Sequence, residues 1–108
     1  MPKLCNIDLA NCQKIRRKLR TFVRRLKKQF PVKEVYLFGT WAKGEVHEGS
    51  DIDLLIIGNL KGRIFQRIEK VLQLTDLPIE PLVFTPDEFK KKKRGLFVRE
   101  ILATGQKI

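Results

Sequence analysis

The run Leu37-Phe38-Gly39-Thr40-Trp41-Ala42-Lys43-Gly44-Glu45, continued by Gly49-Ser50-Asp51-Ile52-Asp53-Leu54-Leu55-Ile56-Ile57, decides the fold. Val35–Phe38 and Asp51–Ile57 read as two short buried strands, rich in β-branched and aromatic residues. Gly39-Thr40 turns the chain between them, a short turn of helix starts there, and residues 45–49 form a polar loop. Asp51 and Asp53 open the second strand. Period-two alternation puts both carboxylates on one face, about 6–7 Å apart along the strand, and turns Ile52, Leu54 and Ile56 to the core.

Outward from this centre, residues 7–30 have helical spacing, with Ile15, Leu19, Phe22, Val23, Leu26 and Phe30 on one face, and Pro31 ends the helix. A second helix is expected over 61–74, with Ile64, Phe65, Ile68, Val71 and Leu72 sharing a face. A third strand spans Ile79 to Phe84. Pro81 inside it cannot donate to a ladder, which points to an edge strand or a bulge. Thr85-Pro86-Asp87-Glu88 is a helix start: Thr as N-cap, Pro at the first position, Glu at the third. The last helix carries Phe97, Val98, Ile101 and Leu102 and is capped by Gly105. The expected order is αβ(α)βαβα: one α/β (α+β) domain over 1–108, a small mixed sheet of three or four strands flanked by helices. Its motif core lies at 33–84, between the N-terminal helix at about 7–30 and C-terminal helices at about 86–104.

The chain has 108 residues, with 23 Lys+Arg against 12 Asp+Glu, a formal charge of +11. The basic excess lies in residues 14–28 and in Lys90-Lys91-Lys92-Lys93-Arg94. Such a chain favours anionic partners, whether nucleic acid, nucleotide phosphates or an acidic protein. Charge runs are also commonly just solvated faces, and no aromatics interleave with these as single-strand binding would require. No apolar run reaches the ~18–20 residues of a membrane span, and the N-terminal MPKLCNIDLANC has no signal-like apolar stretch. Cys5 and Cys12, with one His, make neither a disulfide scaffold nor a zinc site, so a cytoplasmic chain with free buried thiols is expected.

The candidate chemistry follows from the acids. Two carboxylates this close raise each other's pKa unless a cation lies between them, and oxygen-only ligands suit Mg²⁺ with substrate phosphates. Glu80, on the next strand, can approach the pair. Three convergent carboxylates can hold two divalent ions for an in-line phosphoryl or nucleotidyl displacement. Gly39 at a strand end lets backbone approach a phosphate. The helix start after it offers free N–H groups, Thr40 adds a hydroxyl, and Lys43 adds a positive charge. Taken singly, each of these features is structural more often than functional. Together, in this order, they equip one sheet end for a nucleoside triphosphate. Tyr36 and Trp41 read as packing or interface residues, His47 as a loop residue, Ser50 as an orienting cap for the Asp strand, and Glu45 as support for Lys43 or the loop.

With those residues in place, the chain resembles the minimal nucleotidyltransferases of the DNA polymerase β-like superfamily. Their pattern is Gly-Ser, about ten residues, Asp-x-Asp, and a third acid on a later strand. Here it stands as Gly39-Thr40, ten residues, Asp51-Ile52-Asp53, then Glu80. The phrase LFGTWAKGEVHEGSDIDLLI and the ending TPDEF…FVREILATGQKI are also similar to the family's, and the resemblance covers roughly 33–105. Thr40 stands where Ser is usual, Trp41 where Arg is common, Glu80 where Asp is usual, and Pro81 follows it.

The resemblance implies Mg²⁺-dependent transfer of a nucleoside monophosphate, AMP from ATP foremost, to a hydroxyl; Mn²⁺ is the alternative ion. Asp51 and Asp53 are then metal ligands, and Glu80 is the third ligand or the base. Gly39 and Thr40 hold the triphosphate, with Lys43 and Ser50 beside it. Relatives of this type pair with HEPN toxins of the RNase type, neutralising them by contact or by attaching AMP to a tyrosine. A HEPN toxin in a hetero-oligomer, bringing the acceptor hydroxyl, is therefore the implied partner. Two alternatives stay open: a non-catalytic antitoxin acting by contact, and an RNA-directed nucleotidyltransferase using the basic helix at 14–28. No membrane partner is expected.

Overall fold

A computed structural model describes the backbone of residues 9–43 and 51–108, and the side chains of 13–39, 41–42 and 51–108. The elements run α1 (Leu9–Gln29), β1 (Val32–Phe38), α2 (Thr40–Lys43), β2 (Ile52–Gly58), α3 (Ile64–Leu72), β3 (Ile79–Phe84), α4 (Pro86–Lys92), α5 (Leu96–Thr104) and β4 (Gln106–Lys107). The four strands lie in the order β3-β2-β1-β4. β1 is antiparallel to β2 and to β4, and β2 is parallel to β3. α3 supplies the crossover that a parallel pair requires. The mixed sheet and its flanking helices match the expected class.

Helix α1 buries Leu19, Phe22, Val23 and Leu26 against Val35, Leu37, Ile52, Leu54 and Ile56 on one face of the sheet. Each such side chain contributes roughly 1.5–3 kcal/mol when fully buried. β1 starts at Val32, three residues before the expected Val35, because Val32 and Glu34 pair with Gly58 and Ile57 across a register irregularity.

The sheet's other face carries a second core, in which Leu55 packs with Phe84, Val98 and Ile101 beneath α4 and α5. β2 is thus covered on both faces, which explains why its sequence is a continuous apolar run rather than an alternating one. The sequence reading assigned only Ile52, Leu54 and Ile56 to a core; Leu55 and Ile57 are equally buried.

α3 differs from expectation. It covers Ile64–Leu72 rather than 61–74. Val71 is buried, with Ile68 packed beside it, but Phe65 points outward at 82 % exposure. Arg67 takes an inward position in that stripe. Its guanidinium donates to Glu88, at 2.6 Å, and its Nε to the Gly62 carbonyl, at 2.8 Å. That anchored cation rotates Phe65 to solvent.

β3 is an edge strand, which accommodates Pro81 as anticipated. Thr85 caps α4 through its hydroxyl, which accepts from the Glu88 N–H, while the Glu88 carboxylate accepts from the Thr85 N–H. The C-terminal part holds two helices, separated by Lys93-Arg94-Gly95, and a short strand that completes the sheet. Gly105 ends α5; a Cβ there would lie 2.5 Å from the Ile101 carbonyl oxygen and 3.0 Å from that of Leu37, so glycine lets the chain turn tightly onto β1.

Candidate active site

The topology gathers three strand ends. β1 finishes where the antiparallel β2 begins, and β3 begins beside it. The register aligns Phe38 with Asp53 and Asp53 with Glu80, one row across three strands. Alternation places this row on the α4–α5 face, with Leu55 and Phe84 below it. Asp51 sits one residue ahead of β2 and is exposed; Asp53 is half-buried.

The three acids interact. Glu80 is the register partner of Asp53, and its carboxyl feels the charges of both Asp51 and Asp53. Its carboxyl is pushed up, first by the hydrogen bond with Asp51 and then by the negative charges of Asp51 and Asp53. Asp53 is also pushed up, first by burial and then by the charge of Asp51, while the bond from Glu80 partly offsets this. Among the described residues, no group of three His, Cys, Asp or Glu side chains closes around a single point. Asp53 and Glu80 are instead register partners across β2 and β3, with Asp51 two residues ahead of Asp53. This donor set, all carboxylate oxygens with mutual repulsion, has the chemistry that a hard divalent cation satisfies.

Gly39 completes the row. Its φ is +71°, in the left-handed region open to glycine. A Cβ at this position would lie 2.2 Å from Asp53 Oδ2. The glycine therefore serves two ends: it makes the turn out of β1, and it leaves room for the Asp53 carboxylate against the backbone.

Of the expected site residues, Gly39, Asp51, Asp53 and Glu80 come together. Thr40 opens α2 and Lys43 closes it, but their side chains lie outside the described residues, as do Gly44, Glu45, His47, Gly49 and Ser50 altogether. Cys5 and the side chain of Cys12 also fall outside. Trp41 is a core residue, 2 % exposed, and its indole N–H has no hydrogen-bond partner among the described residues. The Arg16 guanidinium lies 5.4 Å from the Trp41 ring and donates to the Trp41 carbonyl oxygen. Tyr36 donates its hydroxyl to Glu34; that bond, with burial, pushes its pKa up to about 12, so the phenol stays protonated.

Two clefts flank this region. One, about 170 Å³, is lined by Phe38, Gly39, Phe97, Glu100, Ile101 and Thr104. The sequence reading missed it, because Phe97 and Glu100 carry no motif and approach Gly39 only through the packing of α5. The other, about 810 Å³, lies between α1 and the 73–78 segment; its cations are Lys14, Arg17, Lys18 and Arg25. Among the described residues, no helix is long and apolar enough to cross a membrane.

A candidate protein adenylyltransferase of Methanocaldococcus jannaschii is 32 % identical over 91 residues, spanning 82 % of this chain and 91 % of that protein. The crystal structure of a candidate nucleotidyltransferase from Sulfolobus solfataricus superposes with a TM-score of 0.58 at 26 % identity, covering 69 % of this chain and 70 % of that one. A toxin–antitoxin structure solved with AMP-PNP has a TM-score of 0.57 at 15 % identity over 81 % of this chain and 69 % of its own, a likeness of fold. Residues 16–108 match the family described as the nucleotidyltransferase domain, and the chain belongs to that family.

Proposed function

We propose that this protein transfers AMP from ATP to a hydroxyl of a protein partner, and that the partner is a HEPN-type toxin which it neutralises as antitoxin. The observation that carries the reading is the row of Asp53 and Glu80 beside Gly39, with Asp51 two residues ahead of Asp53 at the same sheet end. The M. jannaschii relative, named for protein adenylyl transfer, supports the reaction class. The fold shared with a toxin–antitoxin structure holding an ATP analogue supports the setting.

In this reading Asp51 and Asp53 hold Mg²⁺, with Glu80 as third ligand or as the base that takes the acceptor proton. Magnesium, when bound, supplies positive charge against the triphosphate and the leaving pyrophosphate. Gly39 and Thr40 seat the phosphates, with Lys43 and Ser50 near them. The attacking hydroxyl displaces pyrophosphate from the α-phosphorus: one O–P bond forms, one breaks, and the hydroxyl proton leaves to a base.

The test is label transfer from α-labelled ATP with Mg²⁺, in the presence of the co-encoded partner, with tRNA in a parallel reaction. Label on the partner that disappears with an Asp51→Asn, Asp53→Asn variant is the expected result. Formation of a stable, inhibited complex without label would replace catalysis by contact. The basic cleft at Lys14, Arg17, Lys18 and Arg25 favours a second reading, in which RNA is the acceptor. Label on tRNA, and affinity falling steeply with salt, would select it.

A further inference from the structure

We propose that the cleft between β1 and α5 is the nucleobase subsite, that Phe97 is its stacking surface, and that Glu100 selects bases bearing an exocyclic amino group. The inference rests on the nucleotidyl-transfer reading and adds to it the part of the nucleotide which the acid row does not touch.

The cleft holds about 170 Å³. That is below the ~300–1,000 Å³ of a pocket for a whole ligand, and near the ~150 Å³ that accepts one benzene ring. It suits one heteroaromatic ring system, with the rest of the molecule outside. Phe38 and Phe97 stand edge to face, with centroids 6.0 Å apart and planes at 88°. Phe97 nevertheless remains 55 % exposed, so a ring surface is open beside the cleft. An aromatic left half-bare next to a cleft is the feature that stacks a base.

Position is the second argument. Gly39 lines the cleft, and a Cβ on it would touch the Asp53 carboxylate. Phe38, also in the lining, is the register partner of Asp53. The cleft and the acid row therefore meet at Gly39, with phosphates on one side and the base on the other.

Polarity is the third. Thr104 donates its hydroxyl to the Glu100 backbone carbonyl at 2.8 Å, so its proton is committed within α5. Glu100 is exposed and is the charged residue of the lining. An ionised carboxylate only accepts hydrogen bonds. It favours the amino groups of adenine, guanine and cytosine, and disfavours the carbonyl that uracil presents at the equivalent position.

The experiment is titration calorimetry of the folded protein with Mg²⁺ and, separately, ATP, UTP and inorganic tripolyphosphate. Wild type is expected to bind ATP more tightly than tripolyphosphate. Phe97→Ala should weaken ATP by roughly 5- to 100-fold and leave tripolyphosphate nearly unchanged. Glu100→Gln, at an exposed position, should narrow the ATP-to-UTP preference by roughly tenfold. ATP and tripolyphosphate binding equally to wild type, or Phe97→Ala weakening both alike, overturns the subsite and leaves the phosphate site standing. Binding of neither ligand overturns the subsite and the nucleotidyl-transfer reading together.

Discussion

Gly39→Ala is the substitution that most sharply separates a functional turn from an ordinary one. Two independent costs follow from the structure. The backbone at φ +71° lies in the left-handed region, where a side chain costs roughly 1–2 kcal/mol. The new methyl would also stand 2.2 Å from Asp53 Oδ2, when real Cβ atoms essentially never come under 3.0 Å. The carboxylate must therefore retreat by close to 1 Å. The first cost appears in denaturant unfolding and in a Tm lower by roughly 4–10 °C. The second appears in catalysis, where a misplacement of about 1 Å costs on the order of 10²-fold. A double-mutant cycle tells them apart. In an Asp53→Ala background the clash is gone and only the backbone cost remains, so Gly39→Ala should destabilise less there than in wild type, with a coupling of at least about 0.5 kcal/mol. An alanine variant with wild-type Tm and wild-type transfer, or a cycle with no coupling, would refute the claim that Gly39 exists to seat Asp53.

The acid row predicts a pH dependence. Asp53 and Glu80 are both pushed up in the folded protein, so the folded state binds more protons than the unfolded one. Metal-free stability should then fall as pH rises from the usual carboxylate range through the raised values. Glu80→Gln should flatten that fall and raise the Tm of the metal-free protein near neutral pH; thermal melts across about pH 4–7 read both. Glu88 behaves oppositely. Its carboxyl is held down, first by the Thr85 N–H and, against some burial, also by Arg67, so its stabilising effect is present above the usual range and is lost as pH falls through the lowered value. Removing the partner hydroxyl with Thr85→Ala should cost about 1 kcal/mol in urea unfolding. Leu55→Ala should cost roughly 2–5 kcal/mol by the same assay, because Leu55 is fully buried between β2 and α5.

The strands, their order in the chain and the acid pair were legible because apolar runs, Gly39 and the Asp-x-Asp spacing are local signals. Pro81 pointed to an edge strand or a bulge, and β3 is an edge strand. The helix start at Thr85 was equally local. What escaped depended on distant partners. Phe65 fits a helical stripe as well as Val71 does; only the ties of Arg67 to Glu88 and the Gly62 carbonyl decide which of them faces inward. The second core could not be foreseen from Leu55, since a buried strand reads alike whichever helix covers it. β4 has two residues and no pattern; it forms because Tyr36 and Leu37 offer an edge to Lys107 and Gln106. In the candidate site, the shared face of Asp51 and Asp53 follows from strand spacing and the approach of Glu80 from the neighbouring strand β3, whereas the cleft of Phe97 and Glu100 arises from how α5 lies on β1.

The most direct test of the central claim is a crystal structure of the protein with Mg²⁺ and a non-hydrolysable ATP analogue. The account predicts phosphates against Gly39, the ion held by Asp51 and Asp53, and the adenine beside Phe97. Nucleotide density in the basic cleft by Arg17 and Arg25, with the three acids bare, would contradict it.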